Sequence, residues 1–291
     1  MGDARRYEGI NILDKYDEGN RKMKILIPMA GAGSRFAEAG YKISKPAIPT
    51  YDKKTGEKIP MVVCAAKDLP GVAEYGSNIV FVLRNFHRTD GTEGAIRGYF
   101  PQANFIEVEE LTEGQACTCM VAEKYINNDE ELLIAGCDNG MEIDFSKFDE
   151  YRKTADMLVF TYRHNEAVAA KPDAYGWMIV DQDLNVTGTS IKKAISDNPM
   201  EDHAVVATFW FKTGRIFIEA TNRMISENDR INGEYYVDQV AKHALDIGYK
   251  VKVFEIERYI GWGTPNDYEL YQNTFEYWKG FYDTERQRIL R

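Results

Sequence analysis

Short apolar runs alternate with segments of helical periodicity along most of the chain. The runs are bounded by Gly, Pro or charged residues, which is typical of buried strands. Strands are predicted at 24–28, 78–83, 104–108, 131–135, 157–162, 174–181, 186–194, 205–211 and 250–256. Apolar residues at helical spacing predict helices at 60–67, 89–99, 114–126, 145–153, 214–227, 234–245 and from 263 onward. This alternation predicts an α/β fold.

A glycine-rich turn follows the first predicted strand. Two glycines let the backbone turn tightly and bring its N–H groups close to a ligand. An arginine offers a planar cationic fork for phosphate, and a lysine follows in a stiff KPAIP stretch. This order predicts a site for a polyanion, most simply a nucleoside triphosphate. The residues expected around it are Ala30, Gly31, Ala32, Gly33, Ser34, Arg35 and Lys45.

Two commoner glycine motifs do not match this turn. The Walker pattern needs Lys-Ser/Thr after its last glycine, whereas Gly33 is followed by Ser34 and Arg35. The dinucleotide pattern needs a third glycine where this chain has Phe36. The alternative without function is a tight turn that carries a surface arginine.

The stretch from the first strand through Lys45-Pro46 resembles the signature of the sugar-phosphate nucleotidyltransferases, the nucleotide-sugar pyrophosphorylases. The resemblance extends through most of 23–271. It implies a Rossmann-like, mixed and mostly parallel sheet flanked by helices. It also implies a Mg²⁺-dependent reaction in which a small phosphorylated acceptor attacks the α-phosphate of an NTP and pyrophosphate leaves.

The resemblance also implies residue roles in a nucleotide-binding half, about 23–140. Gly114 lies in a Gly114-Gln115-Ala116 turn that matches the family's contact to the base. Glu113 and Gln115 are further candidates for reading the base. Asp138 follows a buried strand and matches the family's metal aspartate, because Mg²⁺ prefers hard oxygen ligands near phosphates.

An acceptor-binding half, about 141–291, completes the single domain expected over 23–291. Gly176 allows a close backbone approach. Lys193 matches a family lysine that contacts the acceptor phosphate, and Glu234 matches an acid that binds sugar hydroxyls. Lysine pairs are usually a solvated face, and Glu234 serves equally well as a helix-start charge.

Two positions depart from the family pattern. Lys192 replaces a glutamate that precedes the acceptor lysine. Gly261 stands where many members have a second metal aspartate. Either Asp138 holds the ion with water and phosphates, or another carboxylate substitutes. The preferred substitute is Asp238, and the other two are Glu255 and Glu257.

Composition narrows the class of protein. The chain has 291 residues, 44% of them hydrophobic, and a net charge of −10, which argues against a nucleic-acid partner. No apolar run is long enough to span a membrane, and residues 1–22 form a charged N-terminal extension with no signal-peptide pattern. Four cysteines without disulfide spacing predict reduced thiols and a cytoplasmic location.

The hypothesis from sequence is therefore a nucleotidyltransferase, with a slight preference for CTP or UTP because the 114–116 turn resembles cytidylyl- and uridylyltransferases. A glycosyltransferase is the second hypothesis, although Asp138-Asn139-Gly140 lacks its usual Asp-x-Asp. A nucleotide-sugar sensor without turnover is the third. His87, just past a strand end, is interpreted as a surface or polar-network residue. The aromatic tail is expected to cover a sheet face or a second subunit of a homo-oligomer.

Overall fold

The computed structural model describes residues 23–289, with side chains described through Tyr282. The extension predicted at 1–22 lies outside the described residues. The strands are β1 (Met23–Pro28), β2 (Pro49–Tyr51), β3 (Lys58–Pro60), β4 (Ile79–Arg84), β5 (Asn104–Val108), β6 (Glu131–Ala135), β7 (Asn139–Glu142), β8 (Met157–Tyr162), β9 (Gly176–Val180), β10 (Val186–Ile191), β11 (His203–Phe211), β12 (Val251–Glu255) and β13 (Arg258–Gly261).

Helices connect most of these strands. They are α1 (Ser34–Glu38), α2 (Met61–Lys67), α3 (Phe86–Thr89), α4 (Thr92–Arg97), α5 (Gln115–Met120), α6 (Glu123–Ile126), α7 (Phe145–Tyr151), α8 (Glu166–Ala170), α9 (Gly214–Ser226), α10 (Val237–Asp246) and α11 (Pro265–Ile289). None of the helices in the described chain is long and apolar enough to cross a membrane.

The central sheet is mixed. Its main order is β10-β9-β11-β6-β1-β4-β5, and β8 pairs with both β11 and β12. Strands β6, β1, β4 and β5 are mutually parallel neighbours, so their carboxyl ends meet at one edge. Strand β11 runs antiparallel to β6 and β8 and joins the two halves of the chain. The predicted Rossmann-like α/β class is confirmed.

Both faces of the sheet are buried under helices. Along β1, Ile25 and Ile27 belong to one hydrophobic cluster, whereas Leu26 belongs to the other. This division follows from the alternation of side chains along a strand. Strands covered on both faces are continuous apolar runs, which is why the sequence pattern locates them well.

Three predicted helices have different bounds in the structure. The helix predicted at 89–99 is shorter in the structure, where it is α4, and Gly91, with a left-handed φ of 87°, separates it from α3. The helix predicted at 114–126 is divided into α5 and α6. The prediction that Glu234 opens a helix is wrong, since Ile231 and Glu234 form a turn and α10 begins at Val237.

The C-terminal helix α11 packs against the β2–β3 hairpin. The Phe275 ring stacks on Tyr51 with centroids 4.6 Å apart, and the Tyr271 hydroxyl donates to the Tyr51 carbonyl at 2.9 Å. Further along the helix, Tyr277 and Trp278 are 68% and 50% exposed. The first part of α11 therefore covers a small sheet, which is one of the two predicted positions of the aromatic tail. Its second part presents aromatic side chains to solvent.

Candidate active site

A cavity of about 600 Å³ lies at the carboxyl ends of β1, β4 and β6. Ligands of open α/β sheets bind at this edge. Ala30, Gly31, Ala32 and Gly33 line it directly after β1, and Gly33 has a left-handed φ of 63°. Ser34 and Arg35 begin the short α1 and are exposed beside the cavity. The glycine turn is thus placed where the sequence predicts a polyanion site.

Lys45 and Asp138 meet in this cavity. Lys45 Nζ lies 2.5 Å from Asp138 Oδ2, and both side chains are largely buried. Burial acts to raise the pKa of the Asp138 carboxyl, but Lys45 and then Arg35 outweigh it, so the pKa is below its usual range. Burial opposes the charge on Lys45 too, and Asp138 outweighs it and raises the pKa of Lys45. Both groups are therefore charged near neutral pH.

The backbone around Asp138 is held by a distant segment. Strand β7, which begins at Asn139, pairs with β13, and the Trp262 N–H donates to the Asp138 carbonyl at 3.0 Å. A Cβ on Gly263 would lie 3.2 Å from Asp138 Oδ2, so this glycine leaves room next to the carboxylate. One carboxylate that opens into a roomy cavity suits Mg²⁺, which commonly uses one or two carboxylates and keeps water and phosphate ligands.

Two of the candidates for a second metal carboxylate, Glu255 and Glu257, are paired or exposed. Within residues 23–289, no group of three or more His, Cys, Asp or Glu side chains is arranged to hold a metal. A Cβ on Gly261 would lie 3.1 Å from Cε1 of Tyr259, so the tyrosine ring crowds the position expected for an aspartate. Glu255 is engaged by Arg163 through two hydrogen bonds of 2.9 Å. Glu257 is exposed.

Asp238 lies in a different part of the site, beside Lys192 and Gly176. A Cβ on Gly176 would lie 2.2 Å from Asp238 Oδ2, so glycine is required for this close approach. Burial raises the pKa of Asp238 to about 6, and the positive charge of Lys192 opposes the rise. No contact among the described residues joins Asp238 to Asp138. The partner that the structure shows for Asp238 is therefore Lys192, and its role as a metal ligand stays a prediction.

The two adjacent lysines are placed differently from the sequence expectation. Neither lysine lines the cavity, and Lys193 is exposed whereas Lys192 is half-buried. Burial lowers the pKa of Lys192, Arg35 and Lys171 lower it further, and Asp238 and Glu234 oppose the shift. The positive charge of Arg35 therefore acts on both Lys192 and Asp138.

Glu234, which the sequence predicts to be an acceptor-binding acid, lines the cavity. It is exposed and lies on the turn before α10, at the rim. Its charge acts on Lys192, as that of Asp238 does. The structure therefore brings Glu234, Lys192 and Asp238 together, and it does not bring Lys193 to them.

The turn 112–116 forms another wall. Gly114 and Gln115 line the cavity, and Gly114 has a φ of 126°. A Cβ on Gly114 would lie 2.5 Å from the Tyr235 carbonyl oxygen, so a side chain cannot be placed there without movement. Glu113 points elsewhere, since its carboxylate pairs with Arg230 at 3.2 Å. Of the two base-reading candidates, only Gln115 faces the cavity.

The segment after β4 also forms part of the cavity wall. Phe86 and His87 line the cavity, and His87 is buried, with 2% of its surface exposed. The expectation of a surface histidine is wrong in this respect, whereas the polar-network alternative holds, because His87 Nδ1 accepts the Arg84 N–H at 3.2 Å. The position just past a parallel strand end was the available signal.

Comparison with known proteins places the fold. No protein-family model matches the chain, and no curated protein matches it in sequence. A nucleoside-diphosphate-sugar pyrophosphorylase from Vibrio cholerae RC9 matches with 19% identity and a TM-score of 0.67, over 85% of this chain and 98% of that one.

Two other solved structures are similar. A UDP-glucose pyrophosphorylase complexed with UDP-glucose matches with 18% identity and a TM-score of 0.64, over 89% of this chain and 99% of that one. The inositol-1-phosphate CTP transferase from T. maritima matches with 15% identity and a TM-score of 0.59, over 87% and 95% of the two chains. The chain therefore has the fold of the nucleotide-sugar pyrophosphorylases and related nucleotidyltransferases.

Proposed function

We propose that the protein is a Mg²⁺-dependent nucleotidyltransferase that joins an NTP, preferably CTP or UTP, to a sugar 1-phosphate or a similar small phosphomonoester and releases pyrophosphate. The observation that carries this proposal is the partly buried Lys45–Asp138 pair in the cavity that the glycine turn lines. The similar structures support it, since they are named as a nucleoside-diphosphate-sugar pyrophosphorylase, an inositol-1-phosphate CTP transferase and a UDP-glucose pyrophosphorylase.

The reaction would need no general base. A phosphomonoester has its second pKa at about 6, so its oxygens are already nucleophilic near neutral pH. An oxygen of the acceptor phosphate forms a bond to the α-phosphorus, and the bond from that phosphorus to the bridging oxygen breaks. Pyrophosphate leaves with the electron pair. The protein's task is then to position the two substrates and to stabilise negative charge.

The loop, the two cationic side chains and Asp138 would each have a separate role in this reaction. The loop 30–33 would hold the triphosphate through its backbone N–H groups. Lys45, released from its pair with Asp138, would stabilise charge at the α-phosphate. Arg35 would stabilise the departing pyrophosphate from beside the cavity. Asp138 is the residue that would hold Mg²⁺, and the bound ion would neutralise triphosphate charge.

The acceptor would bind on the side of Lys192. This lysine replaces Lys193 in our assignment, because it is half-buried and lies near Arg35, whereas Lys193 faces solvent. Glu234 would accept hydrogen bonds from hydroxyl groups of a sugar or polyol. The close approach at Gly176 holds Asp238 in place beside the lysine.

The test is a matrix of NTPs against phosphorylated acceptors, with pyrophosphate as the readout and Mg²⁺ present. We expect one combination to release pyrophosphate and Asp138→Asn to abolish the release, because this change preserves shape and removes a carboxylate charge. Near wild-type turnover by folded Asp138→Asn would contradict the metal assignment. If the protein binds a nucleotide sugar tightly and no NTP–acceptor pair releases pyrophosphate, it is a sensor. If it transfers the sugar from a nucleotide sugar, it is a glycosyltransferase.

A further inference from the structure

His87 is held in one tautomer. Its Nδ1 accepts the backbone N–H of Arg84 at 3.2 Å, so this nitrogen carries no proton. Burial lowers the pKa of His87, Arg84 lowers it further, and Asp90 opposes the shift, so the ring is neutral near pH 7. In a neutral imidazole the proton must then be on Nε2. The side chain therefore presents one hydrogen-bond donor of fixed position.

His87 Nε2 makes no hydrogen bond to another described residue, and the side chain, 2% exposed overall, lines the cavity, so this donor is open to a molecule in the cavity. A donor that opens into a cavity pairs with water or with a ligand that fills the cavity. The Phe86 ring, whose centroid lies 4.1 Å from that of His87, adds an apolar surface to the same wall.

The sheet order places His87 away from the phosphate-binding end. Asp138 follows β6, the glycine turn follows β1, and His87 follows β4, and these three strands are consecutive neighbours. Neighbouring strands lie about 4.8 Å apart, so β6, which precedes Asp138, and β4, which precedes His87, are roughly 10 Å apart across the sheet. A nucleotide with its phosphates at Lys45 and Asp138 would extend its base toward β4 and the turn at Gly114.

We propose that His87 is a specificity-determining residue that donates its Nε2–H to an acceptor on the edge of the nucleotide base. For the preferred pyrimidines the acceptor is a ring carbonyl oxygen or, in cytosine, the N3 nitrogen. This inference rests on the proposed function, because it assumes that a nucleoside triphosphate occupies the cavity. It adds a base contact outside the turn at 113–116.

The experiment measures binding without turnover. Isothermal titration compares CTP, UTP, GTP and ATP with inorganic tripolyphosphate, which has the charge but no base. We expect His87→Phe to weaken the best nucleotide at least about tenfold, the effect of one lost hydrogen bond to a buried group. Tripolyphosphate affinity should stay unchanged. His87→Gln, which retains an N–H donor, should lose less.

A matched control comes from the other half of the chain. His203 is also buried, its Nδ1 bonds Thr161 Oγ1 at 3.0 Å, and it does not line the cavity. His203→Phe should leave the affinities for nucleotide and tripolyphosphate unchanged. Thermal unfolding and circular dichroism show that each variant is folded.

A second measurement uses the unmodified protein. The chain has four histidines, so a ¹⁵N-histidine spectrum can be assigned by single substitutions elsewhere. The Nε2–H signal of His87 should move on addition of CTP or UTP and should not move with tripolyphosphate.

Three results would overturn the inference. Equal loss of nucleotide and tripolyphosphate affinity in His87→Phe would make His87 a structural residue. Unchanged nucleotide affinity, or a His87 signal insensitive to nucleotide, would show that the base lies elsewhere, and the proposed function would stand. Failure of the wild type to bind any nucleotide or tripolyphosphate would instead remove the proposed function and the inference with it.

Discussion

At the scale of single residues, the assignment of the acceptor lysine depends on one backbone angle. Lys192 follows the last residue of β10 and has a left-handed φ of 60°. Strand alternation no longer applies after such a residue, because the backbone turns there. The sequence could therefore identify the lysine pair, but it could not identify which of the two side chains is half-buried.

Substitution of each lysine tests this assignment. Lys192→Ala should raise the acceptor KM about 10- to 100-fold, which is the loss of a charged hydrogen bond worth about 1.5–3 kcal/mol. The NTP KM should change little. Lys193→Ala is the matched control and should retain near wild-type kinetics. The reverse pattern, a large acceptor effect only in Lys193→Ala, would restore the original sequence assignment.

Asp238 gives a prediction about pH and stability. Its pKa rises from 3.8 to about 6 on folding, with burial as the main cause. Between these two values the folded state binds more protons than the unfolded state. The contribution of Asp238 to the free energy of unfolding is therefore largest below about pH 4, decreases between about pH 4 and pH 6, and changes no further at higher pH.

Asp238→Asn removes this titration. The unfolding free energy of the variant, relative to wild type, should be higher at pH 7 than at pH 4, by at most about 3 kcal/mol. Urea unfolding at the two pH values measures the difference. Asp197→Asn, at an exposed carboxylate, should give nearly the same relative value at both. A pH-independent difference for Asp238→Asn would show that its carboxyl is not held in a desolvated site.

At the scale of elements, the sequence located those parts of the site that follow buried parallel strands. The turn after β1 and Asp138 after β6 are examples, because long apolar runs fix the strand and hence its end. The cavity wall formed by the turn 112–116 was harder to predict. Its geometry depends on a contact between the turn at Gly114 and the turn before α10, which are more than 100 residues apart in the chain, and no local pattern encodes such a contact.

Gly114→Ala should disrupt this contact. A Cβ there would lie 2.5 Å from the Tyr235 carbonyl oxygen, and the φ of 126° disfavours a side chain. The turns are joined by Tyr235 N–H to the Glu113 carbonyl at 2.8 Å and Ala116 N–H to the Tyr235 carbonyl at 3.0 Å. We expect a loss of about 2–4 kcal/mol in unfolding free energy and weaker nucleotide binding.

Gly94→Ala is the control for this change. Gly94 lies within α4, and a Cβ there would have no heavy atom within 4 Å. In a helix interior the change should be neutral or stabilising by up to about 1 kcal/mol. Comparable destabilisation by both substitutions would show that the contact between the turns is not the cause.

At the scale of the whole molecule, the site is built from both halves of the chain. Asp138 belongs to the first half, but its carbonyl is held by Trp262 and its neighbour β7 pairs with β13. The sequence showed the missing aspartate at Gly261, yet only the folded chain shows Tyr259 beside that position. The tyrosine ring comes from the same strand as the glycine, and strand curvature and ring orientation cannot be obtained from spacing.

A site shared between halves should stabilise the whole fold when it is filled. A ligand that binds only the folded state at 100 times its Kd adds about 2.7 kcal/mol, which is roughly 5 °C in Tm for a chain of this size. We expect CTP or UTP with Mg²⁺ to give a single unfolding transition at higher temperature, since β11 and β13 connect the two halves. Asp138→Asn should lose the part of the shift that depends on Mg²⁺ and keep the part due to nucleotide alone. A nucleotide-induced split into two transitions would mean that only the first half is stabilised, and the proposed coupling through β11 and β13 would then be wrong.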